Sequence, residues 1–198
     1  MSIKASICYS LNFNPNKRTK KKIKFLIFHY TGMKSEKSAI NKLTQIQSEV
    51  SSHYLIKKNG KVLILVPDLY IAWHAGNSSW KKFNSLNKHS IGIEIVNPGH
   101  DIGYKKFTVK QINSLINLSK LLIKKYRINK KNILGHSDIS PERKKDPGEK
   151  FPWEYLSKKN IGIWHNLKKK QLVKLRGKEC SQKMKLELLK NLHKIGYS

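Results

Sequence analysis

The sequence predicts an α/β fold: a mixed central β-sheet flanked by helices, with a short helical tail at its C-terminal end. Three observations point there. Short apolar runs of strand length alternate with longer stretches whose apolar residues recur at helical spacing. An Asn59-Gly60 pair lies between two apolar runs, a hairpin signal that makes one pair of strands antiparallel. No window approaches the roughly 18 uninterrupted apolar residues of a membrane span, so the apolar runs belong to a core.

The elements follow in order. KRTKKKIK (17–24) is a charged lead-in, and KFLIFHY (24–30) is a buried strand rich in β-branched and aromatic residues. SAINKLTQIQSEV (38–50) places Ile40, Leu43, Ile46 and Val50 at helical spacing. HYLIKKNGKVLILV (53–66) reads as a hairpin with Asn59-Gly60 as its two-residue turn, and SIGIEIV (90–96) as another strand. FTVKQINSLINLSKLLIKKY (107–126) opens on a Thr108/Gln111 capping box and carries an apolar stripe. NILG (132–135) is a short strand ending at His136, and a last helix spans about Gln182–Ile195 before Gly196.

Charge is the most conspicuous bulk property. Lys and Arg total 41 against 12 Asp and Glu, a formal net charge of +29. Such a balance suggests an anionic partner, but nearly all of the excess is lysine, with arginine only at positions 18, 127, 143 and 176. Readers of nucleic-acid bases depend on the planar arginine fork, and the lysines are dispersed along a chain also rich in Asn and Ile. The reading is therefore a compositional bias, with no nucleic-acid partner. The two cysteines, Cys8 and Cys180, form neither a disulfide framework nor a CxxC metal site. The N-terminus lacks a continuous apolar leader core, so no signal peptide is read, and the sequence by itself points to the cytoplasm unless a leader precedes it or export takes another route.

The residues with chemical capacity gather at strand ends. Period two puts Phe25, Ile27 and His29 on one face of the first strand, and His136 ends another. Asp146 follows in a loop rich in turn residues, before Pro147-Gly148. Two neutral imidazoles and a carboxylate make a three-ligand zinc site of the catalytic kind, if they converge. A lone histidine is more often a satisfied core or surface residue, and the chain has no HExxH, so this reading stays open on the residues alone. In SIGIEIV, Ile91, Ile93 and Ile95 share one face while Gly92, Glu94 and Val96 share the other. A carboxylate inside an apolar strand needs a partner or a purpose; burial raises its pKa, which suits a general base. A partner-satisfied structural glutamate is the competing reading. Lys144 lies two residues before Asp146, on the same face if the segment is extended, with Lys145 pointing away.

FLIFHYTG, SSHYLIKKNGKV, AWHAG, SIGIEI and GHSDISPERKKDPGEKFPW, in this order over roughly residues 22–156, resemble the type 2 N-acetylmuramoyl-L-alanine amidases, and among them the AmiD-type bacterial enzymes. That family also includes phage lysozyme-like amidases and peptidoglycan recognition proteins. The resemblance implies one zinc ion per chain, held by His29 of FHYT, His136 of GHSD and Asp146 of KKDPG. It implies that Glu94 and Lys144 are catalytic and that His74 of AWHAG lies where it touches substrate. The implied reaction is hydrolysis of the amide between N-acetylmuramic acid and L-alanine, in peptidoglycan, muropeptides or a lipid-linked precursor.

The chain departs from some relatives. Ser52, not a tyrosine, precedes His53, so no tyrosine receives a catalytic role. The AmiD-type members carry a helical peptidoglycan-binding module, and KLELLKNLHKIGYS (185–198) resembles only its opening helix. The expected organisation is a basic lead-in over 1–21, a zinc amidase domain over 22–158 and a short helical tail over 159–198, as a monomer without a transmembrane segment. Family resemblance would place the protein in the periplasm or cell envelope. The rival function is a non-catalytic peptidoglycan-recognition module, which loses a zinc ligand; here all three ligand positions are filled.

Overall fold

The computed structural model describes residues 4–197, apart from the side chain of Lys169. In chain order the elements are β1 (Ala5–Ile7), β2 (Phe13–Asn14), β3 (Phe25–Tyr30), α1 (Glu36–Thr44), β4 (Tyr54–Ile56), β5 (Val62–Ile64), β6 (Ile71–Ala72), β7 (Ser79–Trp80) and β8 (Phe83–Asn84). They continue with β9 (Ser90–Ile95), α2 (Val109–Tyr126), β10 (Ile133–Gly135), α3 (His136–Ile139), α4 (Trp153–Ser157), α5 (Lys169–Arg176) and α6 (Gln182–Ile195). Six strands form one sheet in the order β1-β5-β4-β9-β3-β10. Every neighbouring pair is parallel except the antiparallel β4–β5 hairpin, so the sheet is mixed. Among the described residues no helix is long and apolar enough to cross a membrane.

Period two divides β3 as the sequence implied. Leu26 and Phe28 join Ile91, Ile93 and Ile95 of β9 and Leu115, Leu118 and Leu122 of α2 in the larger core. Phe25 and Ile27 face the other way, packing with Trp80, Leu86, Leu134 and Ile139. His29 continues this second face to the carboxyl end of the strand, where the core gives out. The long helix α2 holds its place through an apolar stripe and a reciprocal cap. Thr108 Oγ1 accepts from Gln111 N at 3.1 Å, and Gln111 Oε1 accepts from Thr108 N at 3.0 Å. Removing such a cap costs about 1 kcal/mol.

The structure corrects four local expectations. The helix expected over 38–50 spans Glu36–Thr44, because Ser35 caps it and the chain turns at Gln45 into a 3-10 turn over Ile46–Ser48. Asn59-Gly60 is not a two-residue turn. Gly60 N–H bonds to Lys57 O at 2.9 Å, so Lys58 and Asn59 are central, and Gly60 follows at φ +83. A Cβ there would also lie 2.8 Å from Lys110 O of α2, so glycine serves both the left-handed backbone and the contact with the helix. His136 does not end a strand but begins the one-turn helix α3. Finally, the segment read only as a basic lead-in contributes β1, an edge strand paired to β5, and buries Arg18.

The C-terminal tail is helical, and α6 covers the span the sequence assigned to it. Beyond it the chain hooks back. Lys81 N–H donates to Gly196 O at 2.7 Å, Tyr197 packs edge-on against Trp80, and its hydroxyl donates to Asp138 Oδ1 at 2.5 Å. Asp138 Oδ2 in turn accepts from Gly135 N at 2.7 Å. Cys8 and Cys180 are both free thiols.

Candidate active site and metal centre

Parallel strands β3, β9 and β10 end side by side, and the candidate site lies at their carboxyl ends, where open α/β sheets place ligands. His29 is the fifth residue of β3 and pairs in register with Glu94 of β9. His136 follows β10 directly. Asp146 is 10 residues on, and its loop is tied back by Ser137 N–H donating to Asp146 O at 2.8 Å. Gly135 lets that loop approach, since a Cβ there would lie 2.6 Å from Pro147 Cδ.

These three side chains meet. His29 Nδ1 is 2.9 Å from His136 Nδ1, and each lies 3.1 Å from Asp146 Oδ2. All three residues are buried. The two histidines are 107 residues apart in the chain, so only the fold joins them. A tetrahedral zinc with bonds of about 2.0–2.1 Å spaces its ligand atoms roughly 3.3 Å apart. The donor triangle is close to that spacing, and its chemistry, two imidazoles and one carboxylate, fits a zinc site.

The electrostatics agree. Burial, then the neighbouring His136, lowers the pKa of His29 to about 4, so its ring is neutral at ordinary pH and free to ligate. Burial opposes ionisation of Asp146, but the His136 and His29 rings packed against it outweigh burial and hold the carboxyl well below the usual carboxylate range. Glu94 behaves in the opposite way. Burial, reinforced by the negative charge of Asp146, pushes it up to about 8, against the pull of Lys144. Its Oε2 is buried with no hydrogen-bond partner among the described residues. Two carboxyl groups in one site thus lie in opposite environments: that of Asp146 favours the anion, and that of Glu94 favours the protonated form.

A cleft of about 440 Å³ opens over these residues, lined by Glu94, His136, Lys144 and Asp146 together with Tyr30 and Trp73. Lys145, expected to point away, also lines it, at its exposed rim. Lys144 and Lys145 lie between two turns and belong to no strand, so strand alternation does not apply. Arg143 is committed elsewhere, donating to the carbonyls of Ala75 and Asn77 at 3.0 Å each. His74 borders the cleft and is buried. Both of its ring nitrogens are already engaged, Nδ1 at 3.0 Å from His29 Nε2 and Nε2 at 3.1 Å from Ser90 Oγ.

Sequence reasoning missed several residues around the site. Ser90 and Asn87 carry no motif; Asn87 Oδ1 accepts from the backbone N–H groups of both His74 and Ala75, at 3.0 and 2.7 Å. Tyr30, His100 and Glu149 form a hydrogen-bonded row beside the cleft, with contacts of 2.8 and 2.9 Å. Only spatial neighbourhood reveals these.

Comparison with known proteins agrees with the geometry. A family model described as N-acetylmuramoyl-L-alanine amidase matches residues 19–149. The chain is 43% identical over 155 residues to the N-acetylmuramoyl-L-alanine amidase AmiD of Escherichia coli K12, covering 72% of this chain and 55% of that protein. It is 42% identical over 113 residues to the 1,6-anhydro-N-acetylmuramyl-L-alanine amidase AmpD of Haemophilus influenzae, covering 56% of this chain and 59% of that one. The chain thus spans little more than half the length of these curated relatives. Among solved structures, AmiD from E. coli in complex with anhydro-N-acetylmuramic acid-L-Ala-D-gamma-Glu-L-Lys superimposes with a TM-score of 0.75 at 37% identity, covering 89% of this chain and 72% of that chain. AmpDh3 from Pseudomonas aeruginosa does so with a TM-score of 0.77 at 31% identity, covering 93% and 76%.

Proposed function

The chain belongs to the N-acetylmuramoyl-L-alanine amidase family, and from that membership we propose that it is a zinc-dependent hydrolase of the amide joining the lactyl group of N-acetylmuramic acid to L-alanine. The observation that carries this reading is the donor triangle of His29, His136 and Asp146 in a cleft also lined by Glu94 and Lys144. Relatives solved with anhydromuramyl peptides support peptidoglycan fragments as the substrate class.

His29, His136 and Asp146 would hold the zinc, each through the atom that faces the other two. Zinc in such a donor set supplies a Lewis acid that polarises the scissile carbonyl and acidifies water. Glu94, whose raised pKa and Oε2 without a hydrogen-bond partner among the described residues suit a proton carrier, takes a proton as the water oxygen bonds to the carbonyl carbon. It returns that proton to the nitrogen as the C–N bond breaks, so the L-alanine amine leaves neutral. Lys144 offers a cation to the negative charge that develops on the carbonyl oxygen. The lysines at the rim favour capture of stem peptides, which carry carboxylates. Residues 22–158 form the catalytic unit in this reading.

The test is direct. Purified sacculi and soluble muropeptides are digested with the protein, with and without a chelator, and the products are identified by mass. Release of free stem peptides beginning at L-alanine, abolished by chelation and restored by zinc, is the expected outcome. Binding without any cleavage would instead favour a recognition module.

A further inference from the structure

A zinc-ligating histidine must present a bare nitrogen, and which nitrogen is bare is decided by what the other one touches. Both ligand histidines here meet the metal position through Nδ1. Backbone carbonyls, which can only accept, force the remaining assignments.

His136 is the shorter case. Its Nε2 lies 3.1 Å from Ala75 O, so Nε2 carries the hydrogen and Nδ1 is bare. For His29 the constraint arrives through two intermediaries. The Ser90 hydroxyl donates to Leu86 O at 2.6 Å. With its one hydrogen so committed, Ser90 Oγ can only accept from His74 Nε2, 3.1 Å away. His74 is then bare at Nδ1, which accepts from His29 Nε2–H at 3.0 Å. His29 Nδ1 is left bare, facing His136 and Asp146.

His74 and Ala75 are consecutive residues, so one short segment meets the outer nitrogen of both ligands. That segment is anchored by Asn87, which accepts both of its N–H groups. We infer that the Ser90–His74 relay, with Ala75 O, sets the tautomers of both zinc-ligating histidines before metal arrives, and that His74 is a positioning residue for the metal site. The inference rests on the zinc reading given above, and extends it to residues that touch neither zinc nor the scissile bond.

The experiment measures zinc affinity by competition with a chromogenic chelator, and ring tautomers by long-range proton–nitrogen NMR of the metal-free protein at about pH 7. Wild type is measured first, because failure to take up zinc at all would overturn the zinc reading and this inference with it. Loss of an outer partner typically weakens metal affinity about 10–100-fold. A loss in that range is expected for His74→Leu, which leaves His29 Nε2–H without an acceptor, and a loss near its lower end for Ser90→Ala. His74→Gln, whose amide oxygen can accept, should recover part of the affinity. The spectra of wild type should show His29, His74 and His136 all protonated at Nε2. Wild-type zinc affinity in folded His74→Leu and Ser90→Ala, or His74 protonated at Nδ1, would overturn the relay while leaving the zinc site itself intact.

Discussion

Gly92 and His74 are in contact so close that no side chain fits between them: a Cβ on Gly92 would lie 2.4 Å from His74 Cγ and 2.6 Å from its Nδ1. Gly92 sits mid-strand, where glycine ordinarily weakens a sheet, and its φ is not in the left-handed region. The requirement is therefore one of space. Gly92→Ala should push the His74 ring away from His29, costing about 1–3 kcal/mol of stability and weakening zinc binding in the variant that remains folded. Urea unfolding together with chelator competition checks both; an alanine variant with unchanged stability and zinc affinity would mean that the ring relaxes freely.

The donor triangle makes a stoichiometric prediction. Purified protein should hold about one zinc per chain, and His29→Ala, His136→Ala and Asp146→Ala should each lose metal and turnover together. Elemental analysis paired with activity assays reads the result. A variant that keeps both removes that residue from the ligand set.

Glu94 invites a split between stability and rate. Its buried Oε2 has no hydrogen-bond partner among the described residues, so replacing that oxygen forfeits no hydrogen bond. Glu94→Gln should keep its zinc and its melting temperature while turnover falls by about 100-fold or more. A variant that melts early and retains its rate per folded molecule would assign Glu94 to the fold.

Lys144 and Lys145 both border the cleft, and ionic strength separates a preorganised charge from a diffuse one. Loss of an oxyanion stabiliser costs on the order of 3 kcal/mol, about a hundredfold in rate, whereas exposed charges are screened by salt. Lys144→Met should lower kcat strongly at low and high salt. Lys145→Met should lower kcat/KM slightly, and at low salt only. Equal, salt-sensitive losses would reduce Lys144 to part of a basic surface.

His53 gives the metal-free protein an acid sensitivity. It is buried, its Nδ1 accepts Gly92 N–H at 3.0 Å, and burial, then the charge of Arg18, lowers its pKa to about 3. The folded pKa lies below the ordinary value near 6.5, so the unfolded chain takes the proton first. Stability is complete above about pH 6.5 and falls as pH drops towards 3, by up to about 1.4 kcal/mol per pH unit for this one group. His53→Gln should flatten the dependence by that amount in urea titrations of chelator-treated protein between pH 6 and 4. An unchanged slope would place the titration elsewhere.

What the sequence disclosed and what it withheld have separate physical causes. Strands β3, β9 and β10 and helix α2 were legible because each buries a face, and burial writes a period into the residues; the cap of α2 is local chemistry between Thr108 and Gln111. The hairpin turn was misjudged by one residue because Gly60 answers to α2, which is distant in sequence. The ligand residues were legible one by one, as polar groups at the ends of apolar runs. Their meeting was legible only through the family resemblance and not from the residues alone, since it depends on the order in which strands lie side by side. Ser90 and Asn87 were invisible because a serine or an asparagine near a strand end is ordinary until its neighbours are known.

The pairing of β3 with β10 has a kinetic consequence. His29 and His136 are 107 positions apart, and they meet only when two parallel strands have docked across everything between them. Contacts of such separation carry a loop-closure entropy that local turns and helices avoid, and they form late on average. Among the described residues no hairpin or isolated helix contains two of the three ligands together with the strand that orients the third. Zinc uptake during refolding should therefore lag behind the appearance of helical signal from α2, and the bound ion becomes a reporter for closure of the whole sheet.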